Sequence, residues 1–465
     1  MRILCKAALA IFLLLCFLTA SGSASGPMTA GLRLEKAVAA GDYMCSVQKD
    51  DGRFVYDYTP LDCKEQPGYN WNEHWGAVLS LLRIYEAPGD AKYLEAAQKA
   101  ARASLARLAA VKIDGQEFRV PASPYKDNPQ SLLADTGECA MALMALIQLD
   151  KAAKTTAHTQ TIRDLRQYLK CLQTSDGSVK SLCLINGGEA RFSEMRIMND
   201  QGQALAALAA AQDAFPEEDA PQTINRLINY LAMEWVWDAY EGHQSGFDHW
   251  SLLGIGQAYK FADDKILAQA HEEMLQALKA EQAEILSRLE GKPLFDERRA
   301  LGMRQDRIEI KIHLAEKQGP HTRKSLIPLI FSYGNEEMKG QILEPGNNEH
   351  GAFRNAQGVS AGTAVRLEGL QAIYDLFVST PDTPYRGWIR RWEPRLNLVR
   401  VYLIQCQYTQ EDAAKFGCPV SLAGAFRKGI NGSRGTPVRL DYCWHGVFAL
   451  MGWSESSLDA PESKQ

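Results

Sequence analysis

One kind of segment recurs six times in this chain and limits what it can fold into: a short helical run, small and apolar on nearly every side. The six are Gly76-Ala77-Val78-Leu79-Ser80-Leu81-Leu82, Ala140-Met141-Ala142-Leu143-Met144-Ala145-Leu146, Gly202-Gln203-Ala204-Leu205-Ala206-Ala207-Leu208, Leu252-Leu253-Gly254-Ile255-Gly256, Leu367-Glu368-Gly369-Leu370-Gln371-Ala372 and Gly446-Val447-Phe448-Ala449-Leu450-Met451. A helix with no polar face has to be buried all round. Between these runs lie amphipathic stretches with charged faces, such as Ala91 to Ala109 and Leu267 to Leu289, which suit an outer layer. Alternation of six inner with six outer helices predicts an all-α fold. Six hairpins closed into a ring account for it better than a bundle or an open solenoid, and strand-like alternation is scarce.

The loops repeat as well. Cys45-Ser46-Val47-Gln48 leads to Asp51-Gly52-Arg53-Phe54, and Cys171-Leu172-Gln173 leads to Asp176-Gly177-Ser178-Val179. Cys406-Gln407-Tyr408 leads, through a longer loop, to Gly424-Ala425-Phe426. Gly246-Phe247-Asp248 and Gly351-Ala352-Phe353-Arg354 share the glycine-aromatic element. Glycine gives backbone freedom at a helix exit, and the aromatic tucks the loop onto the core. The one irregular interval, 291–360 inside the fifth hairpin, holds Gly319-Pro320-His321 and Glu344-Pro345-Gly346 and reads as an insertion of short helical or extended pieces. An insertion of that length is expected to serve as a lid or binding loop.

With Tyr85 to Ala96 reading as a turn from an inner to an outer helix, the series resembles the (α/α)6 toroids of six-hairpin glycosidases. It is similar in architecture to glucuronyl C5-epimerase C-terminal domains and several polysaccharide lyases. The Gln-x-x-x-Gly-Phe-like loops also resemble those of terpenoid cyclase and prenyltransferase toroids. The resemblance spans essentially the whole chain after its first residues. It implies an (α/α)6 toroid over residues 25–455 and carbohydrate-directed chemistry, although this ring hosts many unrelated activities. The Asp-x-Asp-Asp-type run of squalene-cyclising enzymes and the zinc ligands of protein prenyltransferases are absent, and no single glycosidase family's catalytic motif matches.

Residues 1–24 read as a secretory signal: Arg2 and Lys6 flank an apolar run from Ala7 to Leu18, and small residues up to Ala24 follow. The run is too short to span a bilayer comfortably, so no stable membrane insertion is expected, and the chain is expected in a periplasm or outside the cell. Removing Arg2 and Lys6 takes the formal charge from −5 to −7. No basic block stands out, so nucleic acid is not an expected partner. Eight cysteines remain after the signal, and an even number in an oxidising compartment suggests disulfides. Three local bridges are natural, Cys45–Cys63, Cys171–Cys183 and Cys406–Cys418; Cys139 and Cys443 would pair across the fold or stay free. The alternative is that several are small buried hydrophobes. Asn431-Gly432-Ser433 is a glycosylation sequon, and residues 456–465 read as a disordered tail.

Each small-residue helix is preceded by a polar, aromatic cluster. These are Tyr69-Asn70-Trp71-Asn72-Glu73-His74-Trp75, Asp135-Thr136-Gly137-Glu138, Arg196-Ile197-Met198-Asn199-Asp200-Gln201, Phe247-Asp248-His249-Trp250, Thr363-Ala364-Val365-Arg366-Leu367-Glu368-Gly369 and Pro437-Val438-Arg439-Leu440-Asp441-Tyr442, the last followed by Trp444 and His445. In a ring, all inner helices begin at one end, so the clusters should converge on one funnel. A sugar site needs this mixture: aromatic planes to stack on pyranose faces, carboxylates for acid–base work, and arginines if the substrate is acidic.

The candidate catalytic set is Glu73, His74, Asp248, His249, Arg366, Glu368, Arg439, Asp441, Tyr442 and His445. Tyr69, Asn70, Trp71, Trp75, Glu138, Asp200, Trp250, Arg354 and Trp444 are candidate substrate contacts. Each has a plain structural alternative: acids as N-caps, histidines as hydrogen-bonded core, Arg366 and Arg439 as partners of Glu368 and Asp441, tryptophans as packing. A hydrolase would use two carboxylates, Glu73 and Asp441 first. A lyase or epimerase would use Tyr69, His74, Tyr442 or His445 as base, with an arginine to stabilise an enolate-like intermediate. The rivals are a non-catalytic toroid that binds glycan or a cell-envelope component, and a terpenoid cyclase or prenyltransferase-like toroid. No metal or other cofactor is expected, since His-Glu-x-x-His, Cys-x-x-Cys, a dense acid loop, a phosphate-binding glycine loop and a Gly-x-Ser-x-Gly elbow are all missing.

Overall fold

A computed structural model describes residues 28–453 apart from residue 194 and the segments 242–247, 292–294, 355–359, 381–382 and 431–436. The signal sequence, the 456–465 tail, the Asn431 sequon and the Gly246-Phe247 part of one loop therefore lie outside the described residues. Six inner helices are present: α2 (Trp71–Glu86), α4 (Thr136–Ala153), α6 (Met198–Ala214), α8 (His249–Ala258), α12 (Ser360–Ser379) and α14 (Leu440–Met451). Each packs on the next, and α14 packs back on α2, which closes the ring. The outer layer is α1 (Ala30–Ser46), α3 (Ala91–Leu105), α5 (Thr159–Cys171), α7 (Ala220–Glu241), α11 (Arg323–Lys339) and α13 (Trp392–Gln405). The first outer helix, α1, packs on the last inner one, so the two ends of the chain complete one hairpin. The fold is the expected (α/α)6 toroid.

The loop repeat is a clasp between outer helices. After α1, α5, α11 and α13 a glutamine forms a lone antiparallel bridge: Gln48 with Phe54, Gln173 with Val179, Gln341 with Phe353 and Gln407 with Phe426. Its side-chain amide donates twice, once to a glycine carbonyl in its own loop and once to the next outer helix. The acceptors are Gly52 and Ala96 for Gln48, Gly177 and Thr223 for Gln173, Gly351 and Arg395 for Gln341, and Gly424 and Lys36 for Gln407. The four glycines sit at φ between 86° and 96°, a region costly for other residues. A Cβ on any of them would strike a carbonyl one turn along the same neighbouring helix, Lys99, Arg226, Leu398 or Ala39. The last clasp joins α13 to α1 and so seals the ring.

Among the described residues, nine short strands decorate the helices, more than the sequence patterning suggested. Strands β3 (Leu108–Ile113), β4 (Gln116–Pro121), β5 (Ser123–Tyr125), β6 (Asn128–Asp135), β7 (Leu182–Asn186) and β8 (Glu189–Phe192) form one sheet in the order β4-β3-β8-β7-β6-β5. The tight turns that make it are Asp114-Gly115 and Gly187-Gly188, all four residues at positive φ, the geometry of a two-residue hairpin turn. A second sheet joins β1 (Asp57–Thr59) to β2 (Lys64–Glu65) and β9 (Val438–Arg439). Every one of these strands lies in a connection that leads from an outer to an inner helix. They therefore line the rim where the inner helices begin, and β6 and β9 deliver Asp135 and Arg439 to it.

Two expectations need correction. The extra mass in the fifth hairpin is mostly a pair of long helices, α9 (Asp264–Glu290) and α10 (Phe295–Gln318), and it begins well before residue 291. They share a second apolar cluster with α7, through Met233, Trp237, Met274, Leu278, Ile285, Leu301, Ile308 and Ile312. The cysteine pairing also differs. Cys63 bonds to Cys418, while Cys45, Cys139, Cys171, Cys183, Cys406 and Cys443 are free thiols. Cys63 and Cys418 each lie in the loop after an outer helix, and those helices, α1 and α13, are neighbours across the ring closure. The bridge therefore runs from loop to loop around the ring. No described helix is long and apolar enough to cross a membrane.

Candidate active site

Three of the six inner helices begin at a side-chain cap. Asn70 accepts from the Asn72 and Glu73 amides, Asp135 from Glu138, and Asp248 from Trp250. Each such cap stabilises by about 1 kcal/mol. These caps fix where the following side chains point, and the result divides the candidate residues into two groups.

His445 on α14 and His249 at the start of α8 face each other with ring centroids 5.4 Å apart. The Nδ1 of His445 lies 2.7 Å from Glu368 Oε1, and the second Glu368 oxygen accepts from the Trp453 indole at 2.9 Å. Trp444 stacks on His445 at 3.4 Å and donates its own N–H to Glu73 at 2.7 Å. Trp250 stands over both neighbours, 6.5 Å from Trp444 and 5.5 Å from Trp453. The two imidazoles are electrostatically opposite. Burial drives His249 well below the ordinary histidine range, and the positive charges of His445 and Arg366 push it further, so it is neutral. Burial works against charge on His445 too, but Glu368, with Glu73 and Asp441 behind it, outweighs that and holds its pKa above the ordinary value. His249 Nε2 is buried with no partner among the described residues.

Around this pair the mouth is rich in carboxylates. Asp441 is pushed up to about 6 by burial and by Glu73, and Asp248 to about 6 by burial alone, against the opposing bonds from Ser251 and Trp250. Asp200 is pushed up to about 8 by burial and by Asp135. The arginines are committed. Arg439 pairs with Asp441 at 3.0 Å, donates to Tyr56 at 2.8 Å and lies over the Tyr442 ring. Arg366 donates to the Gly362 carbonyl and lies 3.5 Å from Glu337, so its partner is not Glu368.

The second group is structural. His74 Nε2 donates to the Ala100 carbonyl of α3 at 2.9 Å, and its Nδ1 meets the Tyr69 hydroxyl at 2.6 Å. Burial lowers its pKa to about 4. It faces the outer layer and does not join the other two histidines. Trp75 is in the core. Glu138 bonds Arg107 at 2.6 Å, and that guanidinium lies 3.9 Å over Trp71. Arg354 is exposed and pairs with Glu344. Asn70 acts as a cap.

Trp453 and Glu337 join the site without having been singled out in the sequence. Trp453 follows Gly452 past the last inner helix, and Glu337 sits on an outer helix, so neither belongs to a mouth cluster. His249, Glu368 and His445 offer ligand-type atoms within 4.8 Å of one another, enough to hold a metal ion. They come from three helices, which is why no spacing in the sequence pointed to them.

No protein-family model matches this chain, and no curated protein does. Solved structures do. D-mannose isomerase is similar over 92% of this chain and 97% of its own, with a TM-score of 0.53 and 11% identity. Cellobiose 2-epimerase from Bacillus thermoamylovorans is similar over 90% and 97%, with a TM-score of 0.51 and 14% identity. A sugar epimerase from a ruminal bacterium is similar over 91% and 99%, with a TM-score of 0.50 and 10% identity. At these identities the likeness establishes the architecture of a six-hairpin glycosidase-like toroid.

Proposed function

We propose that this chain is an exported enzyme that moves a proton at the carbon next to the carbonyl of an open-chain sugar, as an epimerase or isomerase. The observation that carries this reading is the His249–His445 pair: adjacent and buried, one with an unpartnered Nε2, the other hydrogen-bonded to Glu368, which favours its charged form. His249 takes the proton from carbon while His445 gives one to the carbonyl oxygen, and the product of that step is an enediol. As His445 takes a hydroxyl proton back from the enediol, the carbonyl re-forms. Protonation of the same carbon on its other face, after the enediol turns, epimerises. Protonation of the neighbouring carbon, with the proton lost from the other hydroxyl, isomerises. Trp250, Trp444 and Trp453 supply planes on which a sugar can stack.

That the three structural neighbours above include two sugar epimerases and a sugar isomerase supports the same reading. Hydrolysis is less well served, because Asp441 is tied to Arg439 and Glu73 to Trp444. The engagement of all three mouth arginines also weighs against a uronate. Export rests on the signal-like first residues, with a disulfide as a compatible feature. The test is incubation with a panel of reducing sugars in D2O. Deuterium entering C2 of one of them, seen by NMR, is the expected result. New reducing ends from glycosides with no exchange at C2 would replace this reading with hydrolysis, and binding alone would replace it with a glycan-binding toroid.

A second reading has one observation in its favour. The same three ligand-type atoms, within 4.8 Å, could hold a transition-metal ion, and metal analysis of the purified chain decides between a bare and a metal-bearing pair.

A further inference from the structure

Beside the histidine pair, a second part of the mouth is built from residues with nothing yet to bind. Gly137, in the first turn of α4, has no side chain where three others converge. A Cβ there would run into Gln203 Oε1 and stand 2.9 Å from Asp200 Oδ1 and 3.1 Å from Asn72 Nδ2. Asp200 and Gln203 are 4% and 3% exposed. Among the described residues, Asp200 Oδ2, Gln203 Oε1 and Asn72 Oδ1 have no hydrogen-bond partner. A buried polar atom left without a partner costs about 1–3 kcal/mol, and Gln203 Oε1, which borders the space that Gly137 leaves, calls for a ligand or water there, with the Asp200 and Asn72 side chains beside it. The two amide oxygens only accept, and Asp200 does so once it has lost its proton. What completes them must donate.

The charge is equally one-sided. Asp135 and Asp248 act electrostatically on Asp200. Arg107 is bound to Glu138, Arg439 to Asp441, and Arg366 lies beside Glu337. No described side chain neutralises the Asp135–Asp200 pair. A group with several N–H donors and a positive charge fits such a pocket better than a hydroxyl, which both donates and accepts. We propose that this cradle of Asn72, Asp135, Gly137, Asp200 and Gln203 binds the ammonium group of an amino sugar. The substrate of the neighbouring histidines is then a sugar with a free amine. This rests on the sugar-active reading given above.

With the ammonium in place, the Asp200 carboxyl gives up the proton it holds in the empty pocket, so binding at pH 6.5 releases a proton. The test is calorimetric titration of the full chain with glucosamine, glucose, N-acetylglucosamine and glucuronate in two buffers of different ionisation enthalpy. Glucosamine is expected to bind about tenfold or more tightly than the other three, with proton release. The preference should vanish in Asp200→Asn, which keeps the shape, and in Gly137→Ala, which fills the cradle. Glucose binding, retained in both variants, serves as the check that they fold.

Equal affinity for glucose and glucosamine overturns the ammonium subsite but leaves the sugar site standing. So does a preference that survives both substitutions. Calcium binding at the cradle in the absence of sugar identifies it as a metal site and overturns the proposal too. Failure of every sugar to bind overturns the sugar-active reading and this subsite together.

Discussion

His74 and His249 are both buried imidazoles kept neutral by desolvation, both near the start of an inner helix, and they are not equivalent. His74 is satisfied at both nitrogens, by the Ala100 carbonyl and the Tyr69 hydroxyl. His249 leaves Nε2 open beside the charged His445. The difference extends to their surroundings. On the outer wall the four glutamine clasps have two acceptors each. The mouth between α2 and α8 collects orphans: Asn72, Asp200, Gln203, His249 and Asp441 all carry a buried polar atom without a described partner. Unpartnered buried atoms also occur away from the mouth, such as Asn229 Oδ1, Trp237 Nε1 and His271 Nδ1. What sets the mouth apart is that they gather beside its carboxylates and the histidine pair, where a ligand can complete them.

The largest effect that could break this comparison is on turnover. Removing a general acid or base costs about 10²–10⁴-fold, so His249→Ala and His445→Ala should each lose that much activity on whichever sugar exchanges at C2. His249→Ala should melt close to the wild type, whereas His445→Ala also strands the buried Glu368, so its rate is compared per folded molecule. His74→Ala should do the reverse: it strands the Tyr69 hydroxyl and the Ala100 carbonyl, so thermal stability falls while the rate per folded molecule stays close to wild type. A His74 variant as inactive as the other two, with its melting temperature unchanged, would erase the distinction.

The clasps come next. Gly424 holds φ 86° and faces the Ala39 carbonyl of α1, so Gly424→Ala is both strained and overpacked. It should cost about 2–4 kcal/mol in chemical denaturation. Gln407→Leu should cost less, about 1–3 kcal/mol, by leaving the Lys36 and Gly424 carbonyls without their donor. Neither touches the mouth. If either variant lowered kcat without changing the denaturation midpoint, outer wall and mouth would not be separable as argued.

Much of this architecture was legible because burial leaves a periodic mark. Helices small and apolar on all sides had to be inner, and their polar starts had to meet at one end. The loops with Gln48, Gln173 and Gln407 were visible as a repeat, although the clasp geometry was not, and the fourth glutamine, Gln341, lacks the preceding cysteine that marks the other three.

What periodicity does not carry is direction around a helix. His74, His249 and His445 fall on the fourth, first and sixth residues of their helices. At about 100° per residue, those positions point to different sides, which is why two meet and one turns outward. The sheet had a signal that alternation of the flanking residues underplayed: Asp114-Gly115 is a strong hairpin turn pair. The disulfide had none. Cys63 and Cys418 are 355 residues apart, and only closure of the ring makes them neighbours.

The smallest effect is on the pH dependence of stability, and it tests the mouth without substrate. The Asp200 carboxyl is held up at about 8 in the folded chain, against roughly 3.9 when unfolded. Between those values the folded chain keeps a proton that the unfolded chain has lost. That contribution is complete below about pH 4 and is lost as pH rises through 8. His74 acts in the opposite sense. Its folded value of about 4 lies below the unfolded one of about 6.5, so stability falls as pH drops through that window. Asp200→Asn removes the first dependence and leaves the second. Below about pH 4 the variant should melt with the wild type, since the side chain is neutral there in both folded and unfolded chains. The two should separate steadily as pH rises above that. At pH 8.5 it should melt higher, by roughly 2–4 °C, because the wild type is by then burying a charge next to Asp135. Parallel melting curves for the two proteins from pH 5 to 8.5 would mean that Asp200 is already compensated, and the mouth would lose its claim to stand apart from the wall.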